Sequence, residues 1–174
     1  MGNWLTSQHC SAIIDLIDRA TRKTGLFAAW LILVMALGET AVVILRYGLD
    51  KGSIALQETI LYLHASAFLL GAAYTLLEDE HVRVDIFYRS ASARYRHWVN
   101  LAGTVLLLLP VTGFIFWSSL PYVTQSWQIR EASADAGGLA GVYLLKTLIP
   151  IFALLLAFQG ISQALKSLRA ITAR

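Results

Sequence analysis

Four apolar runs, each long enough to cross a bilayer, constrain this chain more than any other feature. They cover about residues 26–47, 54–78, 98–125 and 142–165. A spanning helix needs about 20 mostly apolar residues, whereas the strands of a membrane barrel need an alternation of apolar and polar residues that these Leu-rich runs lack. The sequence therefore predicts an all-α membrane protein with four transmembrane helices.

Little of the chain remains outside these runs. Of its 174 residues, 57% are hydrophobic and 14% are charged, whereas soluble domains carry about 25% charged residues. We expect one membrane domain over residues 25–168, a cytoplasmic amphipathic segment over residues 1–24 and a cytoplasmic tail over residues 169–174. A separate soluble catalytic domain does not fit this length, so we expect no enzyme activity. The formal net charge of +3 is small, and we expect no nucleic-acid partner.

The basic residues orient the predicted helices. Ten of the 14 Lys and Arg side chains lie before the first run, between the second and third runs, or after the fourth run. Loops rich in Lys and Arg stay on the cytoplasmic side of a membrane. We therefore predict that both termini are cytoplasmic, in a multi-pass protein of the bacterial inner membrane that is surrounded by lipids. The basic residues expected on the outer side are Arg46, Lys51, Arg130 and Lys146.

Two further segments have amphipathic patterns. Over residues 84–97, aromatic and apolar side chains recur at helical spacing, opposite a face that includes Asp85 and Arg89. This pattern is typical of a helix that lies in the headgroup layer. Residues 1–24 repeat the design, with isoleucines on one face and acidic and basic side chains on the other. We therefore predict interfacial helices in addition to the four spans.

Glu39 is the clearest ionisable residue within a span, and it lies past the middle of the first run. An acidic group at this depth must face protein or be protonated, because lipid cannot stabilise its charge. Arg46 lies two turns further along the same helical face, slightly too far for a direct bond. Glu39 could couple transport to protons, or it could pair structurally with a neighbouring helix. We favour structural pairing.

The histidines do not form a recognisable cofactor site. His64 is alone within a span, and a membrane haem needs two axial ligands, so we interpret His64 as a satisfied core residue on a face of small residues that packs against another helix. His81, Arg83 and Asp85 lie in a loop predicted to be cytoplasmic, with no Cys or second clustered His to complete a metal site. We therefore predict no catalytic, cofactor-binding or metal-binding residues and no cofactor.

Several short motifs occur in a characteristic order. They are Leu45-Arg46-Tyr47, then Gln57-Glu58, then a stretch of His-Val-Arg-Val-Asp-Ile-Phe from residue 81, then Trp-Gln-Ile-Arg-Glu-Ala-Ser from residue 127, then Lys-Thr-Leu-Ile-Pro from residue 146, and finally Gln159-Gly160. In this order and with four spans, the chain resembles the small membrane subunit of tripartite ATP-independent periplasmic (TRAP) transporters, the DctQ type. The resemblance covers about residues 26–168.

The resemblance implies a function that composition and spacing do not show. Subunits of this type pair with a large membrane subunit, which carries the substrate and sodium sites of a secondary, ion-gradient-driven transporter. A periplasmic substrate-binding protein delivers an organic acid. The small subunit is then a non-catalytic scaffold, and Glu58, Glu131 and Lys146 become candidates for contacts with a partner. Two alternatives remain open: a self-sufficient small proton-coupled exporter, and a membrane anchor of a redox complex.

Overall fold

A computed structural model describes residues 8–81 and 91–172, and these residues form helices without any strand. Four helices result: α1 (Gln8–Gly48), α2 (Ile54–Leu77), α3 (Ala93–Gln128) and α4 (Val142–Thr172). Each is long and apolar enough to cross a membrane. The prediction of an all-α chain with four spans is confirmed, whereas the cytoplasmic position of the termini stays a prediction.

Two of the four helices extend well beyond the predicted spans. Helix α1 has 41 residues and continues without a break from Gln8 through the segment predicted to be separate. At 1.5 Å per residue it is about 60 Å long, twice the thickness of a hydrocarbon core of about 30 Å. Helix α4 has 31 residues. The start of α1 and the end of α4 therefore project together from the same end of the bundle.

The interfacial helix predicted over residues 84–97 lies largely outside the described residues, because residues 82–90 are not described. Its last residues, from Ala93 onward, are the beginning of α3. Ser92 caps this helix, since its hydroxyl accepts a hydrogen bond from the backbone N–H of Tyr95 at 3.3 Å. A serine at this position satisfies one of the backbone donors that a helix start leaves free.

Polar residues end two of the helices in the same way. Asp79 follows α2 and Arg130 follows α3, both with positive φ angles of 63° and 48°. The next residue in each case donates a backbone hydrogen bond of 3.0 Å to a carbonyl five positions back, from Glu80 to Thr75 and from Glu131 to Ser126. These hydrogen bonds give partners to backbone carbonyls that the helix ends would otherwise leave unpaired. The chain therefore leaves each helix at a fixed angle.

Helix α4 lies at the centre of the described structure. It contacts α1, α2 and α3, whereas α3 packs on no other described helix. A five-residue π-turn, Thr104–Leu108, lies in α3 just before Pro110. Side chains of this turn pack against Gly160 of α4, where an added Cβ would lie 2.7 Å from Leu108 Cδ2. Helices α1, α2 and α3 are thus arranged around α4, and these described helices do not form a closed ring.

Helices α1 and α2 contact each other in both halves of α1. A Cβ at Gly25 of α1 would lie 2.4 Å from Cγ of Tyr74, so the two backbones approach each other closely there. Gly71 of α2 faces Ala28 of α1 at an ordinary packing distance. The two helices also meet in the second half of α1, where a Cβ at Gly38 would lie 3.4 Å from Cγ1 of Ile60. All the buried residues of α1 lie in its first half, at Cys10, Ile14, Thr21, Gly25 and Ala28. The second half of α1 therefore buries no residue within this chain.

Candidate functional site

One polar cluster lies at the end of the bundle where the connection between α3 and α4 passes α2; we call it the loop-end cluster. Glu58, in the second turn of α2, accepts a hydrogen bond from the Ser133 hydroxyl and a second one, of 2.6 Å, from the backbone N–H of Leu139. A Cβ at Gly138 would lie 2.7 Å from the Glu58 carboxylate, so only glycine allows this approach. Glu58 therefore holds the connection between α3 and α4 against α2.

The same cluster contains an ion pair between the connection and α4. Lys146 Nζ lies 2.5 Å from Glu131 Oε2 and 4.0 Å from the centre of the Tyr122 ring. The hydrogen bond from Lys146 holds the pKa of the Glu131 carboxyl below its ordinary value of 4.5. Beside it, the rings of Trp127 and Tyr143 pack edge to face with their centroids 4.6 Å apart. These contacts join the end of α3 to the start of α4.

The second polar cluster lies at the opposite end, where the long extensions of α1 and α4 meet; we call it the terminal-end cluster. Asp18 lies 2.6 Å from Lys166 Nζ and accepts hydrogen bonds from Ser162 at 2.7 Å and from the Gln159 amide at 3.3 Å. Thr21 donates to the Gln159 side-chain oxygen at 2.8 Å. Because Thr21, Gln159 and Ser162 are buried, this cluster is a polar core between α1 and α4.

Sequence reasoning did not find the terminal-end cluster. Asp18 and Lys166 lie far apart in the chain, and nothing in the sequence pairs them. A partial signal exists in α4, where Gln159, Ser162 and Lys166 recur three and four residues apart and so share one helical face. A polar stripe on an otherwise apolar helix indicates a partner, although it does not tell which residue that partner is.

A third polar site has a different character; we call it the α1–α2 groove. One hollow of about 400 Å³ is lined by Met35, Glu39, Gln57, Ile60, Leu61 and His64. Through Glu39 and Gln57 it continues into a second hollow of about 300 Å³, whose other lining residues are Val42, Val43, Arg46 and Tyr47. Among the described residues, no hydrogen bond or ion pair involves the side chain of Glu39. The groove thus presents a carboxylate outward, without a partner in this part of the chain.

A comparison with models of known protein families shows to which family the chain belongs. The family model for the DctQ component of the tripartite ATP-independent periplasmic transporters matches residues 35–170. The chain belongs to the DctQ family. Searches among curated proteins and among solved structures returned no match. This DctQ component is therefore a component of a TRAP transporter in the bacterial inner membrane, as the motifs indicated.

The match covers two of the three polar sites of the DctQ component completely. The α1–α2 groove and the loop-end cluster lie within the matched residues, whereas Asp18 of the terminal-end cluster precedes them. Of the residues singled out in the sequence, Glu39, Arg46 and His64 line the groove. Glu58, Glu131 and Lys146 contact groups within the chain. His81 lies exposed in the turn after α2, and Arg83 and Asp85 lie outside the described residues.

His64, interpreted as a satisfied core residue, is not part of the core that this chain forms by itself. Its side chain is exposed at the groove, whereas Ala67 and Ile60 of the same helix are buried. The reason is geometric: positions seven residues apart drift by about 20° around a straight helix. Gly71 therefore lies against α1, while His64 and Gln57, one and two heptads earlier, lie at the edge of the contact and line the groove.

The described residues of this DctQ component offer no metal site. In residues 8–81 and 91–172, no group of three or more His, Cys, Asp or Glu side chains lies close enough to hold a metal ion. The one cysteine of the chain, Cys10, is a buried free thiol near the start of α1.

Proposed function

We propose that this DctQ component is the small, non-catalytic permease subunit of a secondary, ion-gradient-driven transporter for an organic acid. In this proposal it is a scaffold for the large membrane subunit, which works with a periplasmic substrate-binding protein. The observation that carries the proposal is the second half of α1, which buries no residue within the chain and yet lines a groove with the polar Glu39 and Arg46. Such a surface needs a protein neighbour in the membrane.

The arrangement of the helices supports an accessory role. A transporter that works alone needs a substrate site near the bilayer centre, between elements that open alternately to each side. Here α3 packs on α4 alone among the described helices, and the hollow lined by Glu39 and His64 opens outward between α1 and α2. Three described helices around α4 thus offer no pair of elements of this kind.

The orientation forms part of the proposal and has a direct test. With cytoplasmic termini, the loop-end cluster and residues 129–141 face the periplasm, where the binding protein docks. In a Cys10→Ser background, a membrane-impermeant thiol reagent added from the periplasm should label Ala136→Cys. It should not label Ala93→Cys until the membrane is opened. The reverse pattern of labelling would overturn the orientation.

Reconstitution tests the function itself. Liposomes that contain this chain alone should accumulate no organic acid under a sodium gradient. Liposomes with this chain and the large subunit should do so when the binding protein and its substrate are added outside. Accumulation by this chain alone, driven by a proton gradient, would instead support the small-exporter alternative. In the complete transporter, Glu39→Gln should keep most of the uptake if Glu39 is not the coupling group.

A further inference from the structure

We propose that the α1–α2 groove receives one transmembrane helix of the large membrane subunit, and that this helix carries a hydrogen-bond donor or a cation opposite Glu39. The inference deepens the proposed function and rests on it, because it names the face, the depth and the chemistry of the contact. It is carried by three observations: the spacing of the residues that line the groove, the depth of its polar groups, and the lack of a partner for Glu39 among the described residues.

The spacing of the lining residues matches a helix as the occupant. On α1 the groove is lined at Met35, Glu39, Val42 and Arg46, a spacing of four, three and four residues. On α2 it is lined at Gln57, Ile60, Leu61 and His64, which also share one helical face. Both walls therefore run along the helix axes for two to three turns. This is the spacing with which one helix receives the side chains of another.

The depth of the polar groups excludes water as their main partner. Glu39 lies nine residues before the end of α1 at Gly48, and His64 lies ten residues after the start of α2 at Ile54. At 1.5 Å per residue, both are about 14–15 Å from the helix ends, which is half of a hydrocarbon core of about 30 Å. Two turns or more of each helix therefore separate the carboxylate and the imidazole from the ends of their spans.

The chemistry of the groove distinguishes its possible occupants. Acyl chains of lipids offer neither a donor nor a charge to Glu39, Gln57 and His64, so a groove filled by lipid alone would leave a carboxylate unsatisfied in hydrocarbon. A second copy of this chain would cross the membrane in the same orientation and would bring a second Glu39 to the same depth, where the two charges repel each other. A helix of the large subunit with a hydrogen-bond donor at this depth would satisfy the Glu39 carboxylate and would bring no second negative charge beside it.

Cross-linking in the assembled transporter tests the occupant. A photoreactive amino acid is placed at Leu61, an exposed residue of the groove wall, in the tagged small subunit co-expressed with the large subunit. The control is the same amino acid at Leu106, which is apolar, exposed and within the α3 span. We expect an adduct with the large subunit from Leu61, in higher yield than from Leu106. An adduct with a second small subunit, no protein adduct, or a yield at or below that from Leu106 would overturn the proposal.

Substitution at Glu39 tests the chemistry. Polar contacts between membrane helices suggest that Glu39→Leu will reduce the large subunit that co-purifies by about 3- to 20-fold. Glu39→Gln, which keeps a hydrogen-bonding group, should lose less. The matched control is Gln125→Leu, an exposed polar residue of α3, which should lose none. Equal recovery with Glu39→Leu and wild type would contradict the inferred contact.

The outcomes for the groove and for the function are separable. If both subunits are needed for uptake but Leu61 gives no adduct and Glu39→Leu binds normally, the groove assignment is wrong and the scaffold function stands. If the small subunit alone accumulates substrate, the scaffold function is wrong. Because leucine is more apolar than glutamate, Glu39→Leu should insert and fold at least as well as wild type, so weaker association would not reflect misfolding.

Discussion

The polar groups at the two ends of the bundle differ from Glu39 in the α1–α2 groove in having partners within the part of the chain that the structure describes. At the terminal end, Asp18 has a cation and two hydrogen-bond donors within the chain, and at the loop end Glu58 has two donors and Glu131 has Lys146. In the groove, Glu39 has no such partner among the described residues. Polar groups with partners inside the chain hold its own fold, whereas an exposed carboxylate within a span, such as Glu39, is left for the proposed contact with another protein.

This difference separates two kinds of effect. Substitutions in the two end clusters should change the stability of the isolated chain, because they remove contacts between its own helices. Substitutions in the groove should leave the isolated chain stable and change its assembly.

Replacing Asp18 should have the largest effect on the chain itself. Asp18→Ala removes an ion pair and two hydrogen bonds, and it leaves Lys166 and the buried Gln159 without their acceptor. We expect a loss of about 2–3 kcal/mol in the free energy of unfolding, as for a largely buried charged group that loses its partner. Unfolding of the purified chain in mixed detergent micelles would measure it.

A neighbouring carboxylate provides the control for this substitution. Asp15 is exposed on the same helix, and Asp15→Ala should change the stability little. In the double variant Asp18→Ala/Lys166→Ala, the combined loss should be smaller than the sum of the two single losses, because the two side chains share one interaction. Additive losses would show that the ion pair does not contribute.

Adding a methyl group at two helical glycines should have opposite effects. At Gly25 the new Cβ would lie 2.4–2.7 Å from atoms of Tyr74, including its Cβ, whereas at Gly103 no atom lies within 4 Å. Gly25→Ala should therefore destabilise the chain by about 1–3 kcal/mol through crowding. Gly103→Ala should stabilise it by about 0.5–1 kcal/mol through helix propensity. Thermal unfolding of both variants would measure the difference, and equal effects would contradict the close approach of α1 and α2.

The smallest effect should appear on acidification. Lys146 lowers the pKa of Glu131 in the folded chain, so the folded state favours the ionised carboxylate more than the unfolded state does. The stabilising contribution is therefore fully present above the ordinary pKa of 4.5 and is lost as the pH falls through the lower pKa of the folded state. Glu131→Gln should reduce the loss of stability between about pH 6 and about pH 3, a range that includes this ordinary pKa.

The exposed loop carboxylate Asp135 is the matched control for Glu131. Asp135→Asn should leave the pH dependence of the unfolding temperature close to that of wild type. If Asp135→Asn and Glu131→Gln reduced the dependence equally, the pair of Glu131 with Lys146 would not be its cause.

The sequence was sufficient to predict the four helices and the family. Long apolar runs are a local property, and a bilayer leaves few structures other than a helix for such a run. The extents of the helices were less predictable. Helix α1 continues through residues 8–25 because Asp18 and Thr21 find partners on α4, and no local pattern reveals this tertiary contact.

Candidate site residues could be predicted from the sequence only where a polar residue lies within an otherwise apolar run. Glu39 was singled out because a carboxylate is unusual within an apolar run, and the structure places it in an open groove. His64 was singled out for the same reason, but its assignment to the core depended on heptad spacing, which does not fix the face of a straight helix. The bonds from Ser133 and Leu139 to Glu58 depend on the course of the 129–141 connection, which no local pattern predicts.

The stability of the isolated Glu39→Leu chain tests the central claim most directly. If the groove is open in the free subunit, the substitution removes no internal contact and replaces a carboxylate by a side chain that membranes favour. The unfolding temperature of the purified chain should then equal or exceed that of wild type, while Asp18→Ala lowers it. A fall with Glu39→Leu comparable to that with Asp18→Ala would show that Glu39 has a partner within this chain, and would contradict the distinction between the groove and the end clusters.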